Sequence, residues 1–385
     1  MMRKIIRAAI LFCSIFFIGL MTDVKPHPAW GIVVDANRQI YFSDLETIYK
    51  IDSLGKLSIF RAGVSGRHVH DLTIDADGNI YGWENVYEPR TEKHLRAFWK
   101  MSPKGEFTEI VSLTENPPSG MSIWRDAVGN TYSVEPWNNE KKEAKIIKRA
   151  IDGKTNVFAG GKYGYLDGRK EKAEFSVITD MAFGKDNAIY LTNGDKIRKI
   201  DKFGMVKTIN HSETLTKNQE DPESSQFFGL DVNEESSVFA ADFNNRRLLK
   251  ISSDGKVSTL LKSEKDWSPI GVATFGDEVY VLEVRPYTSS IHTGNRVLNI
   301  SPTGKSTVIA TLEERNKTSE VSNQNISSPS NTDNSSALET IANSTNTANN
   351  SLSFYGIVGA ASVAFVTLII FVWKKLTSIR FFGKT

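Results

Sequence analysis

One strand-turn-strand pattern occurs six times between Ala29 and Leu312, and this repetition restricts the fold more than any other feature. Each copy contains a glycine in its turn, at Gly55, Gly105, Gly153, Gly204, Gly255 and Gly304. These glycines are 50, 48, 51, 51 and 49 residues apart. A period this regular, near 50 residues, indicates a repeat architecture in which each unit buries its faces against its neighbours.

A second hairpin precedes each of these turns. It consists of an apolar segment, a polar turn and a segment with an aromatic anchor, at Tyr41, Tyr81, Tyr132, Tyr190, Phe239 and Tyr280. Apolar and polar residues alternate with period two, which predicts antiparallel strands. Each repeat therefore contains four strands, and six such sheets predict an all-β, six-bladed β-propeller over residues 29–312.

The fourth repeat resembles the NHL repeat family. Tyr165-Leu166-Asp167-Gly168, Ala173-Glu174-Phe175 and the segment Lys196–Asp201 before Gly204 are similar to the family's aspartate-glycine loop, strand and closing strand. The resemblance implies a six-bladed propeller of the TolB-like and gluconolactonase-like superfamily. It implies no single activity, because such propellers include lyases, lactonase-like enzymes, receptor ectodomains and RNA-binding modules.

Both ends of the chain predict a membrane location. Residues 1–22 have a basic start and an apolar run typical of a signal peptide whose cleavage boundary stays open. Residues 355–373 carry no charge over nineteen positions and predict a transmembrane helix. The basic tail, 374–385, then places the C-terminus in the cytoplasm and the propeller outside, so the expected location is a single-pass protein of the cell membrane.

The segment 313–353 is rich in Asn, Ser and Thr and predicts a disordered stalk. It holds five acceptor sequons, a hypothesis of N-glycosylation at Asn316, Asn325, Asn334, Asn343 and Asn349. The formal net charge of the chain is +2, but seven of its basic residues lie in the two membrane-directed ends. The propeller and stalk are therefore slightly acidic, which argues against nucleic acid as a partner.

Two rings of residues are predicted where the innermost strands of the six blades begin. The first consists of Trp30, His70, Met121, Thr179, Phe228 and Ile270, and the second of Gly31, Asp71, Ser122, Asp180, Gly229 and Gly271. Gluconolactonase-like propellers hold a divalent cation with carboxylates and an amide in the first ring, which has neither here. No metal or other cofactor is therefore expected; the alternative is one divalent cation held by His70 and Asp180, with His68 on the same strand face.

A ring of oxygen-bearing side chains ends the second strands, at Asp44, Glu84, Glu135, Asn193, Asp242 and Glu283. We interpret it as structural, because short carboxylates and amides at strand ends accept hydrogen bonds from turn amides.

The partner-binding surface is predicted on the face that carries the long loops, among them residues 84–96 and 284–295. Aromatic side chains on a rigid scaffold favour recognition, and the candidates for contact are Trp83, Tyr87, Trp137 and Tyr287.

The sequence thus favours noncovalent binding of a protein, peptide or glycan at the cell surface, and leaves catalysis uncertain. The alternative is an exported, metal-dependent hydrolase or lyase, lactonase-like or amidating-lyase-like. It would use the channel mouth formed by His68, His70, Asp71, Thr179 and Asp180.

Overall fold

The computed structural model describes residues 28–135, 143–210, 224–285 and 294–313. The predicted signal peptide, the stalk from residue 314 with its five sequons, the transmembrane helix and the basic tail lie outside these ranges. Within them, no helix is long and apolar enough to cross a membrane.

The described ranges contain strands and no helix. The strands are β1 (Ile32–Val34), β2 (Ile40–Ser43), β3 (Ile48–Ile51), β4 (Leu57–Arg61), β5 (His68–Ile74), β6 (Ile80–Glu88), β7 (Lys93–Met101), β8 (Phe107–Thr114), β9 (Thr131–Glu135), β10 (Glu143–Arg149), β11 (Thr155–Lys162), β12 (Gly168–Arg169), β13 (Met181–Phe183), β14 (Ile189–Asn193), β15 (Lys196–Ile200), β16 (Met205–Thr208), β17 (Phe227–Val232), β18 (Val238–Asp242), β19 (Arg247–Ile251), β20 (Val257–Lys262), β21 (Ser268–Phe275), β22 (Glu278–Val284), β23 (Gly294–Ile300) and β24 (Ser306–Glu313).

These strands form six antiparallel sheets in chain order, which confirms the predicted six-bladed propeller. Blades 1, 2, 5 and 6 consist of β1–β4, β5–β8, β17–β20 and β21–β24, with the strands paired in sequence order. Blades 3 and 4 vary this plan. Blade 3 has the three strands β9–β11, and an isolated bridge between Arg125 and Thr131 stands where its innermost strand would be.

Blade 4 gains a fifth strand from the loop that carries the NHL-like motif. The short strand β12, Gly168–Arg169, pairs with β16 at the outer edge of the sheet. The fully buried Arg198 fixes this loop, because it donates hydrogen bonds to the carbonyls of Leu166 (2.9 Å) and Glu174 (3.1 Å) and pairs with Asp167 (2.8 Å). The residues of the NHL-like motif thus bind the buried guanidinium of Arg198, which fixes the conformation of the loop.

The periodic turn glycines have a conformational cause. All six have φ between 81° and 87°, in the left-handed region that other residues adopt only with strain. The six aromatic anchors are all at least nine-tenths buried, and most donate their hydroxyl to an acid in the preceding turn, as Tyr81 does to Asp75 (2.9 Å). The two sequence markers of the repeat are therefore the residues that shape its hairpins.

The core lies between the blades. Five clusters of buried apolar residues cover the six blade interfaces in turn, one of them spanning blades 2, 3 and 4. Blade 6 meets blade 1 through one of these clusters, in which Ile32 and Phe42 pack with Ile270 and Leu282. Since each of these two blades uses only its own consecutive strands, the ring closes by side-chain packing, without a shared strand.

Candidate ligand site at the channel mouth

The first predicted ring brings aromatic side chains together at the beginning of the innermost strands. The ring of Trp30 lies 5.5 Å from that of His70 and 5.7 Å from that of Phe228, measured between centroids. His70 also lies 5.5 Å from Trp83 of β6. Blades 1, 2 and 5 thus share an aromatic collar, which we define as Trp30, His70, Trp83 and Phe228.

Of the collar residues, only His70 is fully buried; Trp30, Trp83 and Phe228 are half-buried. His68 lies beside the collar, 6.1 Å from His70, and burial lowers its pKa while Glu46 opposes this effect. The collar therefore presents the rings of Trp30, Trp83 and Phe228 at the channel mouth, with the half-buried imidazole of His68 beside them.

Glycines of the second ring let the innermost strands approach one another closely. A Cβ atom on Gly271 would lie 2.1 Å from the carbonyl oxygen of Trp30, and one on Gly229 would lie 2.8 Å from that of Ile270. Gly31 is equally tight against the backbone of Leu72. No side chain fits at these positions, so the innermost strands of blades 5, 6, 1 and 2 contact one another directly at this level.

The two carboxylates of the second ring each connect neighbouring blades. One oxygen of Asp71 accepts a hydrogen bond from the Leu72 amide (2.8 Å), and the other accepts one from the Trp124 indole of blade 3 (2.8 Å). Asp180 accepts from the amides of Met181 (2.7 Å) and, in blade 5, Leu230 (2.9 Å). Both aspartates thus line the channel and also link neighbouring blades by a hydrogen bond. We call a residue that links two blades in this way an inter-blade clasp.

A third clasp, Asp231, was missed by sequence reasoning. It accepts hydrogen bonds from Val232 (2.8 Å) and from both the amide (2.7 Å) and the hydroxyl (2.8 Å) of Thr274 in blade 6. Asp231 lies two residues beyond the ring position occupied by Gly229, on the same face of an extended strand. Period-two alternation therefore places Asp231 in the channel, one level below Gly229.

Burial dominates the electrostatics of these three acids. It raises the pKa of Asp71 to about 7, against hydrogen bonds from Trp124, Leu72 and Trp30 that favour its ionised form. Burial also raises the pKa of Asp180 well above its ordinary value, and the negative charges of Asp71 and Asp231 add to this effect. The pKa of Asp231 is raised by the same cause. The three carboxyls therefore share a region in which negative charge is costly.

A cavity of about 230 Å³ follows the channel below the collar. Trp30, Asp71, Asp180 and Asp231 line it, and most of the remaining wall is apolar. Arg125 also lines the cavity, but its guanidinium carbon lies 3.4 Å from the centroid of the Tyr81 ring.

The remaining residues of the predicted mouth are structural in their contacts. Thr179 donates its hydroxyl to the carbonyls of Phe227 (3.1 Å) and Phe228 (2.8 Å), which links blade 4 to blade 5. Met121 packs against the core cluster of blades 2 to 4. Within the described ranges, no group of three or more His, Cys, Asp or Glu side chains is arranged to hold a metal ion.

A long hairpin extends the collar away from the channel. The sequence predicts a loop at residues 84–96, but β6 and β7 continue through it as far as Glu88 and from Lys93, which corrects that expectation. Tyr87 on this hairpin is 45% exposed and lies 5.1 Å from the His94 ring. Because β6 pairs with β5 from His68 onward, the hairpin projects beyond the channel mouth. Trp137 and Tyr287 lie outside the described residues.

The strand-end ring is engaged in structural contacts, in agreement with the structural interpretation. Each member accepts a hydrogen bond from a loop amide or an arginine: Asp44 from Thr47, Glu84 from Arg61 and Arg67, Glu135 from Gly120, Asn193 from Ser176, Asp242 from Arg247 and Glu283 from Arg296.

Comparisons with known proteins give structural likeness only. No protein-family model matches the chain, and no curated protein matches its sequence. A virginiamycin B lyase from Staphylococcus aureus is 16% identical with a TM-score of 0.44, over 75% of this chain and 85% of the lyase. A gluconolactonase from Xanthomonas campestris is 11% identical with a TM-score of 0.44, over 66% of this chain and 83% of that one.

A luciferin-regenerating enzyme is 14% identical with a TM-score of 0.47, over 71% of this chain and 91% of the enzyme. At these identities the likeness concerns the fold and transfers no activity. The chain is a six-bladed β-propeller by its own strand topology, and its structural neighbours include a virginiamycin B lyase, a gluconolactonase and a putative gluconolactonase.

Proposed function

We propose that this protein is a membrane-anchored, extracytoplasmic recognition propeller that binds a protein, peptide or glycan noncovalently at its channel mouth. The observation that carries the proposal is the aromatic collar, in which rings from three blades contact one another around one opening. Aromatic rings contribute large contact areas at low conformational cost, and they recur at the centres of binding sites.

The collar differs from the core in its exposure. Core aromatic residues such as Tyr41 and Tyr280 are 2% exposed, whereas Trp30, Trp83 and Phe228 remain half-buried over a cavity. The hairpin with Tyr87 adds an exposed ring on the same face. This arrangement supports a ligand that covers the mouth and contacts the hairpin.

The membrane-anchored part of the proposal rests on the sequence. The apolar start at residues 1–22, the uncharged segment 355–373 and the basic tail support a propeller held outside the membrane on the stalk. The five sequons support glycosylation of that stalk, in a host that modifies asparagine.

The second candidate function is a hydrolase or lyase that acts within the channel. It is favoured by Asp71, whose raised pKa of about 7 is the kind of perturbation found in general acids. Against it, one oxygen of Asp71 and one of Asp180 accept an inter-blade hydrogen bond, which gives both residues a structural role.

The test screens the full-length chain, purified in detergent, against peptide and glycan arrays and then compares variants with the captured ligands. Tyr87→Ala, alone and with Trp83→Leu, should weaken binding at least about tenfold, near 1.4 kcal/mol. Phe203→Ala is the matched control, because Phe203 is 77% exposed in a turn at the opposite end of the strands. Two results together would favour catalysis over recognition as the function. Every captured ligand would keep its affinity in these variants, and the chain would turn over a lactone, ester or peptide amide in a reaction that Asp180→Asn abolishes.

A further inference from the structure

We infer that the part of the ligand that enters the channel is a primary ammonium group, such as a lysine side chain or an amino terminus. This inference rests on the proposed function, because it names the chemistry that the same mouth selects. It is carried by the cavity below the collar, by the aromatic walls and by the charge of the residues that line the cavity.

The size of the cavity limits what can enter. Pockets that hold a whole drug-sized ligand have volumes of about 300–1,000 Å³. At about 230 Å³, the channel cavity is smaller. The innermost strands that bound it approach one another closely at Gly31, Gly229 and Gly271. It therefore admits one slender group of a larger ligand, whose remainder stays on the collar and the hairpin.

The walls at the entrance attract positive charge. Trp30, Trp83 and Phe228 lie at one side of the mouth, and the faces of aromatic rings, Trp best of all, attract ammonium groups within about 6 Å of the ring centroid. A cation that passes the collar exchanges water for ring faces at modest cost. A neutral alkyl group would gain burial there but none of this electrostatic attraction.

The charges inside the cavity act in the same direction. Asp71, Asp180 and Asp231 line it, and none of the three forms an ion pair with a described residue. Arg125 is the one basic residue among the described lining residues, and it is engaged with the Tyr81 ring and the Ile123 carbonyl (3.4 Å). Because burial raises the pKa of all three acids, a cation bound beside them would favour their ionised forms and offset the cost of their negative charge.

The hydrogen-bonding capacity of the acids selects the kind of cation. A carboxylate can accept about four hydrogen bonds. Asp180 accepts two from the described protein groups, one per oxygen, so acceptor sites remain. A primary ammonium has three donors and a compact charge, whereas a quaternary ammonium has no donor and a guanidinium needs room for a planar fork.

In the experiment, the full-length chain in detergent is titrated with three small probes, and binding is measured by calorimetry and tryptophan fluorescence. The probes are n-butylammonium, n-butanol as its neutral isostere and tetramethylammonium as a cation without donors. We expect n-butylammonium to bind at least about tenfold more tightly than either of the others. Equal affinities, or no saturable binding of n-butylammonium, would overturn the inference on the unmodified protein.

Variants then locate the site. Asp180→Asn should reduce the affinity for n-butylammonium about tenfold, whereas Asp277→Asn, at an exposed turn residue outside the cavity, should leave it unchanged. If Asp180→Asn fails to fold because its clasp is lost, Phe228→Leu removes a collar ring and leaves every clasp intact. Unchanged n-butylammonium affinity in Phe228→Leu would then count against the site.

The failure of this inference is distinguishable from failure of the proposed function. A ligand captured from the arrays that binds equally well after acetylation of its amino groups refutes the ammonium group and leaves recognition in place. Selective binding of n-butylammonium, with no captured ligand that depends on Tyr87, refutes recognition of a macromolecule and leaves an amine site in the channel.

Discussion

Replacement of Gly271 by alanine tests how the propeller ring closes. An added Cβ would lie 2.1 Å from the Trp30 carbonyl oxygen and 3.0 Å from its carbonyl carbon. Contacts of Cβ atoms below 3.0 Å are essentially never seen. Because the obstructing atoms are backbone, no change of rotamer relieves the clash, and blades 6 and 1 must separate by about 1 Å at this point.

The magnitude follows from where that separation occurs. Gly271 lies beside the fully buried Ile270, in the cluster that joins blade 6 to blade 1. Overpacking of a well-packed core costs about 1–3 kcal/mol, and we expect the upper end, since the displaced element is backbone. With an unfolding entropy of about 2.1 cal/mol/K per residue over about 280 residues, about 3 kcal/mol lowers Tm by about 5 °C.

The assay is thermal unfolding of the full-length chain, followed by circular dichroism and calorimetry. Gly161→Ala is the matched control: Gly161 lies within β11, and a Cβ atom there would meet nothing within 4 Å. The control should unfold within about 1 °C of the unmodified chain. A Gly271→Ala variant as stable as that control would refute closure by close approach of the innermost strands.

Three further predictions concern stability. The pKa of Asp71 is raised to about 7 in the folded chain, so its stabilising contribution is complete below about pH 4 and is lost as the pH rises through 7. Urea unfolding should show a decrease of at most about 4 kcal/mol across this window, and Asp71→Asn should remove most of that slope. Trp124→Phe removes one hydrogen-bond donor to the buried Asp71 carboxyl. It should lower the free energy of unfolding in urea by about 1–3 kcal/mol at pH 8, and by less at pH 5, where the carboxyl is protonated. Arg198→Met should cost about 1–3 kcal/mol, because it removes the hydrogen bonds to the carbonyls of Leu166 and Glu174 and the ion pair with the 41% exposed Asp167; a loss below about 0.5 kcal/mol would contradict this role of Arg198.

The sequence predicted those parts of the fold that every blade needs. A turn with φ near +80° needs glycine, and a hairpin of this size needs one aromatic anchor, so both recur with the period of the blades. The strand-end acids recur for the same reason. Periodicity therefore gave the number of blades, the order of the strands and the ring that contains Trp30, His70 and Phe228.

Features present in a single blade carried no such signal. The fifth strand of blade 4 is only two residues long. In blade 3, the sequence has the same apolar pattern as in the other blades, although a single bridge stands in place of the innermost strand. The contact between Trp30 and His70 joins strands that are 40 residues apart, and no local pattern records it. The clasp at Asp231 was hidden because a lone aspartate in a strand resembles an ordinary solvent-facing residue.

The same distinction explains why the candidate site lies where it does. Positions that shape the hairpins are nearly identical in all blades, since any change there costs stability. The channel-mouth positions differ in each blade: Trp30, His70 and Phe228 in three of them, Thr179 in a fourth. The fold does not require these residues, because Ile270 occupies the same position in blade 6 and is fully buried. Side chains that the architecture leaves free to vary, yet that converge on one cavity, are best explained by the ligand they contact.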